Sequence, residues 1–343
     1  MPNNPVFLRE FRVINFLNTN KETNILTTER KKIKEGLAKK KRNQLLFYIT
    51  LVALPSIQFL FFYVYVNFNS IVLAFQKWNV DTASYQFNGL ESFKQAFMLG
   101  LDDWAAAKMS LGYMIKNSLI LYACTLLVGI PFAIIFSYYI YKKNAFGGAF
   151  KVILFMPSIV SGLVLSTIYM YFADVGIPEL WEKLTGMKIV GLFSNQDTKF
   201  ETILFYTIFM GFGTQVLMYV GAMSGISESL IEAGQIDGIK PYQELFFIVV
   251  PLILPTIITF TVVGVAGIFT NQMNLYNFYG GTNGGNLNRK HYTFGYYLFV
   301  SVKNAGWSEY PSLAALGIIL TLVCVPVSLG IRWGLNKLAD KVL

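Results

Sequence analysis

Apolar residues in this chain come in long runs rather than on single helix or strand faces. The runs at about Leu45–Phe75, Tyr113–Tyr141, Phe150–Phe172, Ile203–Met223, Leu245–Thr270 and Leu313–Trp333 are each near or above the roughly 20 residues a helix needs to cross a bilayer. The pattern predicts an all-α integral membrane protein with about six transmembrane helices. The first run is long enough to tilt or to project beyond the hydrocarbon. Pro55, Pro131, Pro157, Pro255 and Pro326 fall inside the runs, where neighbouring helices can satisfy the backbone groups that proline frees, so they read as kinks. Between the fourth and fifth runs the pattern changes. Leu230, Ile231, Ala233 and Ile236 recur near helical spacing, which predicts a short amphipathic helix over Ser227–Asp237. Ser227 suits the N-cap and Glu228 the first turn. Gly238 sits where a helix end wants a left-handed residue, and Pro241 suits the first turn of the next helix.

Charge divides the chain into a basic tail over residues 1–44 and a membrane domain over 45–343. Only 14% of the residues are charged against 54% hydrophobic and 16% aromatic, and 11 of the 28 Lys and Arg precede Asn43. The net charge of +9 therefore describes a tail beside a membrane and not a nucleic-acid face. A polar, basic start of this kind is not a cleavable signal peptide. Within the tail, Phe7, Leu8, Phe11, Ile14 and Leu17 fit either a helix lying on the membrane surface or a tail with scattered apolar residues. The dense basic run Arg30–Arg42 places the N-terminus in the cytosol, and an even number of crossings returns Lys142, Lys143, the Glu232 loop and the C-terminus to that side. The three longer loops on the other side hold nine Lys or Arg and ten Asp or Glu, a weak bias by comparison. These outer loops, 76–112, 173–202 and 271–310, include Trp78, Asp102, Asp103, Trp104, the pairs Gly280-Gly281 and Gly284-Gly285, and Trp307.

The chemistry expected of this chain is binding and passage. Cys124 and Cys324 lie in apolar runs, His291 is the only histidine, and neither a metal-ligand spacing nor a catalytic constellation is present. There is no GxxxxGK[ST] phosphate loop, and no Asp or Glu lies near the middle of a run, where an ion-coupled carrier keeps one. No catalytic residue, metal or cofactor is expected in the chain itself. Candidates for a substrate path are Ser158, Ser161, Tyr169, Gln215, Tyr219, Asn271, Gln272 and Asn274. Hydroxyls, amides and aromatic faces suit a carbohydrate, whereas serines in membrane helices also serve helix packing. Gln215 and Asn271, as larger polar groups, are the better candidates. Lack of a fixed charge in the runs favours a neutral or weakly anchored solute.

The stretch SESLIEAGQIDGIKPYQELFFIVVPLILP over Ser227–Pro255 resembles the signature loop of permease subunits of binding-protein-dependent ABC importers. That pattern is Glu-Ala-Ala, three residues, Gly, nine residues and Ile-x-Leu-Pro. Glu232, Ala233, Gly238, Ile248 and Pro251 fall at its intervals, while Gly234 replaces the second Ala and Val250 the Leu. The segment TFGYYLFVSVKNAGWSEYPSLAALGIIL is similar to the final loop and last helix of the sugar-importer branch. The resemblance implies a cytosolic coupling helix between the fourth and fifth transmembrane helices, in a coupling loop over 224–244. Glu232, Ala233, Gly234, Asp237 and Gly238 would then be the residues of ATPase coupling, with Ala233 and Gly234 permitting close approach. It further implies a second homologous permease, two ATPase subunits holding ATP and Mg, an extracytoplasmic solute-binding protein, a bacterial cytoplasmic membrane, and carbohydrate, an oligosaccharide, as the solute. The same machinery carrying a peptide, amino acid or ion, and an ion-coupled carrier acting alone, stay open as alternatives.

Overall fold

The computed structural model describes residues 36, 39–99, 104–280 and 288–341. The apolar positions at 7–17, most of the basic run before residue 43, Asp102, Asp103, Gly281 and the Gly284-Gly285 pair lie outside them. Among the described residues, six helices are long and apolar enough to cross a bilayer: Lys39–Leu73, Gly112–Tyr141, Gly162–Thr185, Lys199–Met223, Pro241–Tyr279 and Tyr310–Ala339. These six spans agree in number with the apolar runs. By contact the chain separates into two units, Met1–Ser70 and Ile71–Leu343. The described part of the first is helical, with Phe47, Phe59 and Phe61 among many exposed apolar side chains.

In the second unit, one cluster joins the second, fourth and fifth spans through Ile140, Val216, Met223, Leu245 and Val249, all buried. A second cluster gathers Tyr169, Phe193, Tyr206 and Phe278 with ring centroids 4.9–6.4 Å apart. Small residues set the closest approaches, as expected where lipid offers no hydrophobic drive between helices. A Cβ on Gly213 would lie 1.9 Å from the Leu154 carbonyl oxygen, so the helix Gly147–Ile159 lies directly against the fourth span.

Two apolar runs depart from a single helix. Phe150–Phe172 is divided: Gly147–Ile159 ends at the extended Val160, Ser161 is also non-helical, and a new helix begins at Gly162. The fifth span is helical to Thr270, turns through Asn271–Asn274, and resumes over Leu275–Tyr279. Met273 and Asn274 both take positive φ, 52° each, an uncommon conformation for residues with a Cβ. Tertiary contact holds that turn in place. A Cβ on Gly295 would lie 2.3 Å from the Thr270 oxygen, and the Thr293 hydroxyl donates to the Asn271 carbonyl at 2.9 Å. Asn117, buried in the second span, donates to the Lys290 and Tyr292 carbonyls at 2.8 and 2.9 Å and fixes the segment that leads into Gly295.

One small sheet interrupts the helical pattern. Gln76–Asn79 pairs antiparallel with Ser84–Phe87, with Trp78 opposite Tyr85. The Trp78 ring stacks on Trp307, and the Tyr85 hydroxyl donates to the Trp307 carbonyl at 3.2 Å, so the hairpin is tied to the entry of the sixth span.

Candidate functional site

The segment carrying the signature pattern folds as a helix, Glu228–Ile236, closed by a tight turn. Ser227 takes the extended N-cap conformation, but its hydroxyl meets that of Ser229 at 2.7 Å and makes no hydrogen bond to the helix backbone. At the other end Gly238 has φ +74°. Its N–H donates to the Gln235 carbonyl at 3.1 Å and that of Ile239 to the Gly234 carbonyl at 3.2 Å, the paired bonds of a Schellman ending. Ile239 also supplies the apolar contact such endings favour. A Cβ on Gly234 would lie 2.6 Å from Ile239 Cδ1 and 3.1 Å from Ile248 Cδ1.

The helix therefore has two faces. Ile231 and Gly234 are buried, with Ile231 in the cluster of the second, fourth and fifth spans. Leu230, Glu232, Ala233, Ile236 and Asp237 are exposed, and Ile236 keeps 86% of its surface. Ala233 and Gly234, adjacent in sequence, thus divide between the faces: Ala233 is open to a partner, while the missing side chain of Gly234 accommodates Ile239 of the same chain. Leu230, Ala233 and Ile236, three residues apart, form an apolar strip flanked by Glu228, Glu232 and Asp237.

Beyond the turn, Pro241 opens the next helix and Gln243 Oε1 accepts from the Lys240 N–H at 2.8 Å. Glu244 is 2% exposed, and both its carboxylate oxygens accept from Lys142 Nζ, at 3.0 and 3.1 Å. Neither residue stands out in the linear sequence. The available signal was a carboxylate one turn inside an apolar helix, which must find a cation or a proton.

Within the spans, Gln215 and Asn271 line one cleft of about 240 Å³. The second span contributes Ser118, Tyr122 and Thr125 to its wall, and the fifth contributes Thr261, Gly264 and Gly267. The Thr125 and Thr261 hydroxyls donate to carbonyls one turn back, and Asn271 Oδ1 accepts from the Met273 N–H at 2.8 Å. The half-buried Gln215 makes no side-chain hydrogen bond to the described residues, and its amide is left for whatever enters. No charged side chain lines the cleft among the described residues. Its hydroxyl-bearing walls were legible only as scattered Ser, Thr and Tyr on two separate apolar runs.

The other candidates lie elsewhere. Gln272 and Asn274 belong to the turn after Thr270, where Asn274 Nδ2 donates to Thr207 Oγ1 at 3.4 Å. Ser158 donates to the Phe155 carbonyl at 2.7 Å, and Ser161 is exposed at the break before Gly162. Tyr169 sits in the aromatic cluster, its hydroxyl donating to the Thr202 carbonyl at 3.0 Å. Tyr219 is fully buried one turn beyond Gln215, edge-on to Phe260, which borders the cleft.

A cleft without charge, mostly apolar and dotted with hydroxyls and amides, opens between bilayer-length helices, and comparison with known proteins leads to a solute-passing membrane subunit. Residues 126–334 match the family described as "binding-protein-dependent transport system inner membrane component", and the chain belongs to that family. It is 23% identical over 210 residues to the multiple sugar-binding transport system permease protein MsmF of Streptococcus mutans, covering 61% of this chain and 69% of the relative. It is 22% identical to the arabinooligosaccharides transport system permease protein AraP of Halalkalibacterium halodurans, covering 77% and 80%. With the glucose import system permease protein GlcT of Saccharolobus solfataricus it shares 23% identity over 83% of this chain and 97% of the relative. Among solved structures, a bacterial ABC transporter for import of the acidic polysaccharide alginate shares its fold. That match has a TM-score of 0.64 and 20% identity over 89% of this chain and 98% of the other.

Proposed function

We propose that this chain is a permease subunit of an ABC importer that takes up a neutral carbohydrate, an oligosaccharide. The observation that carries the reading is the cleft, where the half-buried Gln215 amide has no partner among the described residues and stands among hydroxyls and aromatic faces. Sugars are bound through such groups, and a wall without charge suits a neutral one. The names of the sugar permeases to which the chain is similar support the same solute class.

In this reading a second homologous permease completes the pathway across a bacterial cytoplasmic membrane. Both termini and the 224–244 loop face the cytosol, and a solute-binding protein delivers the sugar from outside. Two ATPase subunits bind ATP and Mg and dock on the strip Leu230, Ala233 and Ile236 with its acidic flanks. The chain neither binds nor hydrolyses nucleotide.

The test is uptake by proteoliposomes holding the complete complex, with the binding protein and a panel of neutral oligosaccharides, uronic-acid oligosaccharides, peptides and amino acids. Neutral oligosaccharides should stimulate ATPase activity, and Gln215→Ala should raise the KM for uptake. Loss of one hydrogen bond to a neutral partner weakens binding by about 0.5–1.5 kcal/mol, roughly 2- to 13-fold. Stimulation by peptides or amino acids alone, or a KM unmoved in Gln215→Ala, refutes the reading.

A further inference from the structure

We propose that Lys142 and Glu244 are a pair of positioning residues, a strut that carries displacement of the Glu228–Ile236 helix into the second span. The inference rests on the docking of the ATPase at that helix.

Among the described residues, this is the one ion pair with a nearly fully buried partner; the Lys94–Glu91 and Lys188–Glu182 pairs are exposed on their own segments. The Glu244 side chain is 3% exposed and that of Lys142 24%. The pair joins positions 102 residues apart in sequence. Lys142 caps the second span, its N–H donating to the Tyr138 carbonyl at 3.0 Å, and the chain then turns through Lys143 at φ +52°. Glu244 lies in the first turn of the helix opened by Pro241, where the helix dipole favours a carboxylate.

Stability alone is a poor reason for such a pair. Two charges withdrawn from water gain little over apolar residues of the same volume. The surrounding cluster already joins these elements through Ile140, Ile231 and Leu245 without charge. What the pair adds is a strong, localised link between two helix ends. The Lys142 ammonium, held by both Glu244 carboxylate oxygens, adds a charge-assisted attachment between the end of the second span and the start of the fifth, on top of the apolar packing.

The elements between docking helix and pair are also stiff. Ile239 is seated on Gly234, Gly238 closes the helix, and the Gln243 side chain holds the Lys240 N–H. Movement of the docking helix therefore reaches Glu244 through short, hydrogen-bonded turns. Through Lys142 it then acts on the span that contributes Ser118, Tyr122 and Thr125 to the cleft.

The experiment compares the complete complex carrying Lys142→Met with Glu244→Leu, Glu244→Gln alone, and Lys142→Arg, which keeps a cation able to hold both oxygens. The readout is sugar molecules taken up per ATP hydrolysed, with ATPase co-purification measured on the same samples. The double variant and Glu244→Gln should keep their ATPase subunits while the ratio falls by roughly five-fold or more, the lower range of coupling between sites. Lys142→Arg should retain the ratio. An unchanged ratio in the double variant or in Glu244→Gln, or an equal fall in Lys142→Arg, overturns the strut. If the double variant does not assemble, the ratio in Glu244→Gln decides the matter by itself. Failure of the docking reading is separable: Ile236→Asp and Glu232→Lys would then retain ATPase subunits and transport normally, whatever the behaviour of the ion pair.

Discussion

Replacing Gly213 by alanine should push two membrane helices apart, and the matched change at Gly211 should do nothing of the kind. Both glycines lie in the fourth span. A Cβ at 213 would sit 1.9 Å from the Leu154 oxygen, 2.7 Å from its carbonyl carbon and 3.4 Å from Phe155 Cα, whereas at 211 nothing lies within 4 Å. The obstruction is backbone on a packed helix, so no rotamer change relieves it. Ordinary carbon–oxygen contact begins near 3.3 Å, so the helix Gly147–Ile159 must withdraw by roughly 1.4 Å or the fourth span must bend. Overpacking of this kind costs about 1–3 kcal/mol. The melting temperature should fall accordingly, by less per kcal/mol than in a small domain because the shift shrinks with chain length. Gly211→Ala removes a flexible residue from a helix and should hold steady or gain up to about 1 kcal/mol. Gln215 is two residues from the obstruction, so uptake should decline in Gly213→Ala along with the melting temperature. The assay is thermal unfolding of the detergent-solubilised complex, followed by uptake in proteoliposomes. If the two alanine variants melt together and transport equally, the close contact between Gly213 and Leu154 is not a feature of the folded protein.

Gly238→Val places a β-branched residue at φ +74°, where even an unbranched one is strained by roughly 1–2 kcal/mol; the protein should still insert, but substrate-stimulated ATPase activity and uptake should fall together, and unchanged values for both count against the role of the turn. Gly267→Leu projects into the cleft from a position with nothing within 4 Å, so it should block uptake without lowering the melting temperature; normal uptake would place the path elsewhere. His291 is 7% exposed, and burial, reinforced by the charge of Lys199 and opposed by Glu201, holds its pKa below the ordinary value. The neutral ring thus contributes stability above the free value of about 6.5 that is lost as pH falls through the lower folded value. Melting temperatures measured from about pH 7.5 down to pH 5 should drop less steeply in His291→Gln than in the parent, and parallel profiles would contradict this.

Length and hydropathy made the membrane helices legible, because crossing a bilayer demands about 20 apolar residues whatever surrounds them. The turn at Gly238 was legible for a similar reason: a helix ending and a following proline constrain φ locally, and the observed +74° depends on no distant contact. Interactions across long sequence separations were not. The hairpin of Trp78 and Tyr85 has four-residue strands, too short for alternation to register, and it is tied down by Trp307. Lys142 and Glu244 each read as a charge beside an apolar run. The cleft draws on hydroxyls from spans that nothing in the linear pattern pairs.

The helix breaks illustrate the limit most clearly, since a chain cannot expose unpaired backbone to hydrocarbon. Ser161 and Asn271 interrupt runs whose composition gives every reason to continue, so their lost helical bonds must be compensated by other parts of the protein. Around them the two interruptions hydrogen-bond to one another and to neighbouring spans. The Tyr206 hydroxyl donates to the Gly162 carbonyl at 3.4 Å, and Ser166 donates to the Asn277 carbonyl at 3.2 Å. Thr207 donates to the Met273 carbonyl at 3.1 Å, and a Cβ on Gly162 would lie only 3.1 Å from Asn277 Nδ2. Hydroxyls of the third and fourth spans thus serve carbonyls at both interruptions, and Gly162 leaves room for the second to approach the first. Each break alone would be an error in an apolar helix. Together they form a polar junction that neither run could announce, because the two interruptions lie more than a hundred residues apart and their partners come from other spans.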